Sequence, residues 1–163
     1  KHENPVLIGV SFGGVLVQEM AAFIRVRKLI IISSVKTQNE IPLRMKIIRN
    51  LKVYHLVPTR LLQKIEILRP LAFNYPLKLR FKLYEKYLSM RDKNYLEWAI
   101  FQMLHWSRTI ADVNVVHIHG DADEVFPIEN IQNCIQVPGG SHIMIVLRYR
   151  WFNEHLPKII LNG

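Results

Sequence analysis

Gly9-Val10-Ser11-Phe12-Gly13, placed directly behind the apolar run Val6-Leu7-Ile8 and ahead of an amphipathic stretch from Val15 to Ile24, decides how the rest of the chain is read. The run is rich in β-branched residues and too short for a helix, so it reads as a buried parallel strand. The glycines then form the tight turn into a helix. Such a turn holds its serine at strained backbone angles, and small flanking residues let strand and helix approach closely. The serine hydroxyl is left exposed at the carboxyl end of a sheet, near the positive end of a helix dipole. A second apolar run, Leu29-Ile30-Ile31-Ile32, makes the opening segment strand, helix, strand. A glycine-rich turn of this kind also suits any doubly wound protein. No Gly-Lys-Ser/Thr follows it and no G-x-G-x-x-G is present, which removes the two phosphate-binding signatures.

Outward from there the pattern changes twice. Between Val35 and Ser107 apolar residues recur at helical spacing with basic residues between them, as in Leu43, Ile47, Ile48, Leu51 and in Leu79, Leu83, Tyr84, Tyr87. Four helices are expected, broken near Pro58, Pro70 and Pro76 and before Asp92, which suits the N-cap of a helix containing Trp98. From Asp112 the strand-and-helix alternation returns. A strand is expected over Val113–His119, a turn over Gly120–Phe126, a short helix after Pro127, a strand near Ile135–Val137 and a last helix over roughly Ile143–Ile160. Alternation of this sort implies a mostly parallel sheet with helices on its faces, an α/β fold.

Two further turns carry chemistry-bearing residues. His119-Gly120-Asp121-Ala122-Asp123-Glu124-Val125-Phe126-Pro127 follows an apolar strand, and Gly139-Gly140-Ser141-His142 follows the last one. Taken alone, Asp121 and Asp123 suit Asx turns, and a lone histidine suits a packed or solvated position. The order Ser, Asp, His, each on a loop after a successive strand, is the order of a nucleophile, acid and base on one sheet edge.

These motifs resemble those of the α/β-hydrolase superfamily: Gly9-Val10-Ser11-Phe12-Gly13-Gly14 its nucleophile elbow, His119-Gly120-x-x-Asp123 with Phe126-Pro127 its acid turn, and Gly139-Gly140-x-His142 its histidine turn. The resemblance covers almost the whole chain, including an insertion after the second strand where the family places its lid. It implies a partial α/β-hydrolase fold in which 1–35 and 108–163 form the core and 36–107 a helical lid. It also implies catalytic roles for Ser11, Asp123 and His142, with Asp123 rather than Asp121 as the acid because it lies three residues after Gly120. His155 and His117 fall within a helix and a strand, and His119 is read as a structural support of its turn. Of the oxyanion hole, only the N–H of Phe12 can be assigned. The family's other donor comes from a loop after an earlier strand. The implied chemistry is hydrolysis of an ester, thioester or amide of a small or acyl-chain substrate, with no cofactor and no metal. The alternative is a non-catalytic or truncated binding module that keeps the motifs.

Composition sets the remaining expectations. The chain has 163 residues, half of them apolar and 21% charged, enough for one domain with a real core and far from a disordered composition. Its formal charge of +9 is unevenly spread. Lys36–Arg108 holds fifteen Lys and Arg against five Asp and Glu, and the remainder seven against eight. That excess reads as a solvated lid face rather than a nucleic-acid surface, with peripheral contact to an anionic membrane left open. Cys134 is the only cysteine, so no intrachain disulfide forms. With no membrane-length apolar run and no signal-like start, a cytoplasmic location is expected. Lys1 is not a methionine and a strand begins almost at once, so the chain reads as a piece of something longer. Val6–Val10 would then be an apolar edge awaiting N-terminal strands.

Overall fold

A computed structural model describes residues 3–52 and 92–162. The chain divides into two compact units, Lys1–Lys46 with Trp106–Gly163, and Ile47–His105. The expected helix breaks near Pro58, Pro70 and Pro76, and most of the 36–107 segment, lie outside the described residues.

The first unit is built on four parallel strands in the order of the chain: β1 (Val6–Val10), β2 (Lys28–Ile32), β3 (Val115–Gly120) and β4 (Ile135–Val137). Their register runs Leu7 to Leu29, Ile30 to Val116 and His119 to Gln136. Leu29, Ile30, Ile31 and Ile32 are all fully buried, as a strand with apolar side chains on both faces must be when both faces are covered. Helix α1 (Phe12–Ala21) packs on β1 and β2. On the other face Ile30, Ile32, Ile118 and Val137 meet Met144 and Phe152, which lie on the short helix α4 (Met144–Leu147) and on α5 (Tyr149–Leu161). Among the described residues β1 pairs only with β2, and Ile8 is exposed at its middle.

Strand β3 and the last helix differ from the sequence reading for local reasons. Strand β3 begins at Val115 rather than Val113 because Asp112 closes a turn: its Oδ1 accepts the Asn114 N–H at 2.8 Å, and Val113 is left 94% exposed. The expected last helix is broken at Arg148, whose φ of −107° and ψ of 30° separate α4 from α5. The Arg148 guanidinium there donates to the Gly139 carbonyl at 2.9 Å, a tie across sequence that periodicity does not register.

The chain leaves and re-enters this unit through one neck. Past β2, Lys36 and Glu40 form a buried pair 3.6 Å apart. The Glu40 carboxylate also accepts the N–H groups of Lys36 at 2.6 Å and Gln132 at 3.3 Å, and the Lys36 ammonium donates to the carbonyl of Asn133 at 3.3 Å. The Gln38 N–H donates to the Arg108 carbonyl at 2.8 Å, so the outgoing and returning strands of the neck touch. Glu19 of α1 grips the return, accepting from Trp106 Nε1 at 2.9 Å and from the Arg108 guanidinium at 3.0 Å.

In the second unit, α3 (Lys93–His105) starts as expected at Asp92, whose Oδ1 accepts the Tyr95 N–H at 2.9 Å, the bond of an N-cap. Helix α2 (Leu43–Asn50) spans the boundary between the units and leaves Leu43 and Ile47 exposed, with Leu51 just beyond its end also exposed.

Candidate active site

Ser11 sits between β1 and α1 with φ 52° and ψ −123°, outside the region an L-residue prefers. Such a conformation costs about 1–3 kcal/mol and persists only where its surroundings enforce it. The Ser11 N–H donates to Ile32 O on the neighbouring strand at 2.9 Å, and the Gly14 N–H donates to Ser11 O at 2.9 Å. A Cβ on Gly9 would run into the backbone of Gly13 and Gly14. One on Gly14 would strike Ser34. A Cβ on Gly13, by contrast, would meet nothing, so the close approach depends on Gly9 and on Gly14, which lies outside the five-residue motif.

The structure brings Ser11, His142 and Asp123 together. Ser11 Oγ lies 2.8 Å from His142 Nε2, and His142 Nδ1 lies 2.9 Å from Asp123 Oδ2. Because the carboxylate can only accept, the network assigns the proton to Nδ1, which leaves Nε2 free to accept from the serine hydroxyl. Asp123 is 4% exposed, and its other oxygen, Oδ1, accepts the N–H groups of Val125 at 2.8 Å and Phe126 at 3.0 Å. Burial works to raise the pKa of this carboxyl. The His142 hydrogen bond and charge, with the two backbone donors, outweigh it and hold the carboxyl below its ordinary range.

Asp121 is not in this chain of contacts. Its Oδ1 accepts the Gly139 N–H at 2.6 Å, which ties the acid turn to the histidine turn. The same two turns meet where Gly120 abuts Gly140: a Cβ on Gly120 would overlap the Gly140 backbone, and the Ala122 N–H donates to Gly140 O at 3.0 Å. Phe12 opens α1 immediately after the serine. Among the described residues no group of three His, Cys, Asp or Glu could hold a metal ion. No helix described is long and apolar enough to cross a membrane.

Beneath the site lie two buried histidines on β3. His117 Nε2 is 3.2 Å from His119 Nδ1, and His119 Nε2 is 2.8 Å from Phe126 O. Alternation in the strand places both on one face, but nothing in sequence says which carbonyl or ring they meet. Burial, with the charges of His119 and Lys36, pushes the pKa of His117 down to about 3, and burial also lowers that of His119. His117 is therefore neutral in the folded state, whereas unfolded it would titrate near 6.5. Its contribution to stability is complete above about pH 6.5 and is lost as pH falls through the window toward 3, by up to about 1.4 kcal/mol per pH unit, and the lowered pKa of His119 acts in the same direction. The urea midpoint should fall steadily between pH 6.5 and 4. A midpoint that stays level over that range would contradict neutral burial of the pair.

No protein-family profile and no curated protein matches this sequence. Solved structures do match in fold. The chain is similar to BpoC of Mycobacterium tuberculosis H37Rv, described as a non-heme bromoperoxidase, with 15% identity and a TM-score of 0.65 over 96% of this chain and 66% of that one. A thermophilic esterase from Thermogutta terrifontis matches with 15% identity and a TM-score of 0.66 over 97% of this chain and 65% of the other. A 2-hydroxy-6-oxo-6-phenylhexa-2,4-dienoate hydrolase from Rhodococcus sp. strain RHA1 matches with 16% identity and a TM-score of 0.54 over 96% and 63%. The chain thus spans less than two thirds of the length of each. With a parallel sheet that carries Ser11, Asp123 and His142 on the turns after β1, β3 and β4, and with these structural neighbours, the chain has the α/β-hydrolase fold.

Proposed function

We propose that the complete protein is a serine hydrolase that cleaves an ester, thioester or amide of a small or acyl-chain substrate through an acyl-enzyme. The observation that carries this reading is the continuous contact from Ser11 Oγ through His142 to Asp123. In the proposed reaction His142 Nε2 takes the hydroxyl proton as Oγ forms a bond to the substrate carbonyl carbon, and Asp123 stabilises the imidazolium. The N–H of Phe12 donates to the oxyanion. His142 then returns the proton to the leaving group as its bond to carbon breaks; water, deprotonated by the same nitrogen, next attacks the acyl carbon, and that proton passes to Ser11 Oγ as its bond to the carbon breaks. Residues 36–107 act as the lid in this reading, and N-terminal strands of the complete protein pair with β1 and supply the second oxyanion donor. The experiment is reaction of the complete protein with a fluorophosphonate probe, located by mass spectrometry. A single adduct on Ser11 supports the proposal, and no adduct moves the protein to the non-catalytic class.

Helix α2 favours a second role beside the first. Leu43, Ile47 and Leu51 form an exposed stripe at a spacing of four residues, while Arg44, Lys46, Arg49 and Lys52 supply positive charge and no acidic residue intervenes. This is the composition of a helix that rests on an anionic lipid surface. The protein should sediment with phosphatidylserine-containing vesicles and not with phosphatidylcholine alone, with release by salt and loss of binding in Ile47→Glu. Equal recovery with both vesicle types, or none, would remove this role.

A further inference from the structure

Asp123 reaches its position through a turn, and the turn is held from below. Val125 and Phe126 donate their N–H groups to Asp123 Oδ1, which closes residues 123–126 into a loop around the carboxylate. The carbonyl of Phe126 then faces the sheet, where His119 Nε2 meets it at 2.8 Å. A carbonyl can only accept, so His119 carries its proton on Nε2, and its Nδ1 accepts from His117 Nε2 at 3.2 Å. The same His119 N–H lies 3.6 Å from Asp123 Oδ2, too far for a hydrogen bond but close enough for its dipole to favour the carboxylate. Phe126 is thereby clamped at its N–H and at its carbonyl. Its ring meets that of His142 edge-on, with centroids 5.5 Å apart and planes at 61°. One fixed residue thus borders both the acid and the base.

We propose that His119 is a positioning residue for the acid and base arms of the triad: its Nε2–H, oriented by His117, fixes Phe126, and through Phe126 both the carboxylate of Asp123 and the ring plane of His142. Partners of this kind orient the groups that do chemistry, and small displacements there carry large rate effects. The groups facing His119 are His117 along β3, Asp123 and His142 above it, and Glu40 from the neck. Burial keeps the ring neutral, as a donor to a carbonyl with an acceptor nitrogen behind it must be.

Nitrogen-detected histidine spectra of the intact protein test this without any substrate, while the rate of probe capture by Ser11 rests on the hydrolase reading. The unmodified protein should show His119 neutral with its proton on Nε2, and a protected His142 Nδ1–H resonance. In His119→Ala that resonance should vanish into exchange with water and probe capture should slow on the order of a hundredfold. His119→Gln, whose amide can donate to Phe126 O, should recover most of both. An unchanged resonance and rate in His119→Ala, a proton on Nδ1 of His119 in the unmodified protein, or a Gln variant as impaired as Ala would each overturn the proposal. If His119→Ala does not fold, the native tautomer and the Gln variant decide. Protected resonances without any probe capture would instead refute the hydrolase reading and leave the positioning role standing.

Discussion

Replacing Ser11 by alanine should abolish covalent capture of a fluorophosphonate, and the two residues behind it should fail in graded, separable ways. His142→Ala removes the proposed base and should slow capture by more than about a thousandfold. Asp123→Asn should lose on the order of ten-thousandfold, the scale known for amide replacement of a triad acid, and the geometry here supplies a specific cause. Oδ1 accepts two backbone N–H groups, from Val125 and Phe126. An asparagine must keep its oxygen there, because an NH₂ in that place would face two donors. Its nitrogen is then forced toward His142 Nδ1, the imidazole proton moves to Nε2, and the ring can no longer accept from Ser11. Capture by Asp123→Asn at a rate near that of the native protein would mean that the carboxylate has no part in activating the serine.

Gly120→Ala should be strongly destabilising for a single added methyl. The new Cβ meets the backbone of Gly140, which a flexible side chain cannot yield to relieve. The two turns must separate, at a cost on the order of 3 kcal/mol, or roughly 6 to 12 °C in Tm for a chain of this size. Function should fall with stability, because the turn after Gly120 carries Asp123 and the turn at Gly140 carries His142, and the contact between the glycines sets their separation. A thermal melt and probe capture on the same sample check both halves. A melting temperature within about 2 °C of native would show that the turns can part freely.

How far the chain was readable from its residues depends on where each constraint lies. Strands β1 and β2 were legible because a parallel strand inside the sheet writes itself as a local apolar run, as Leu29 to Ile32 does. The elbow was legible because the tight turn demands small residues at fixed spacing. Helix α1 begins at Phe12 and not at Val15, since the turn passes straight into helix and Gly14 is held inside it by close packing on Ser34 that propensity does not anticipate. The choice between Asp121 and Asp123 rested on resemblance, because both residues suit a turn and only the fold decides which one faces His142. His119 was legible as a support of its turn, but its partner was not, and neither was the tie from Arg148 to Gly139: each bond ends on a backbone carbonyl, and a carbonyl has no signature in sequence.

The hydrogen bond from Gln38 to the carbonyl of Arg108 closes the polypeptide between them into a loop, its two ends held by Glu40 on one side and Glu19 on the other. To the strands, the size of that loop is almost immaterial, since closure entropy grows only with the logarithm of length and a doubling costs about 0.6 kcal/mol. Residues can therefore be gained or lost between the two ends over evolutionary time at little entropic cost to the register of the strands.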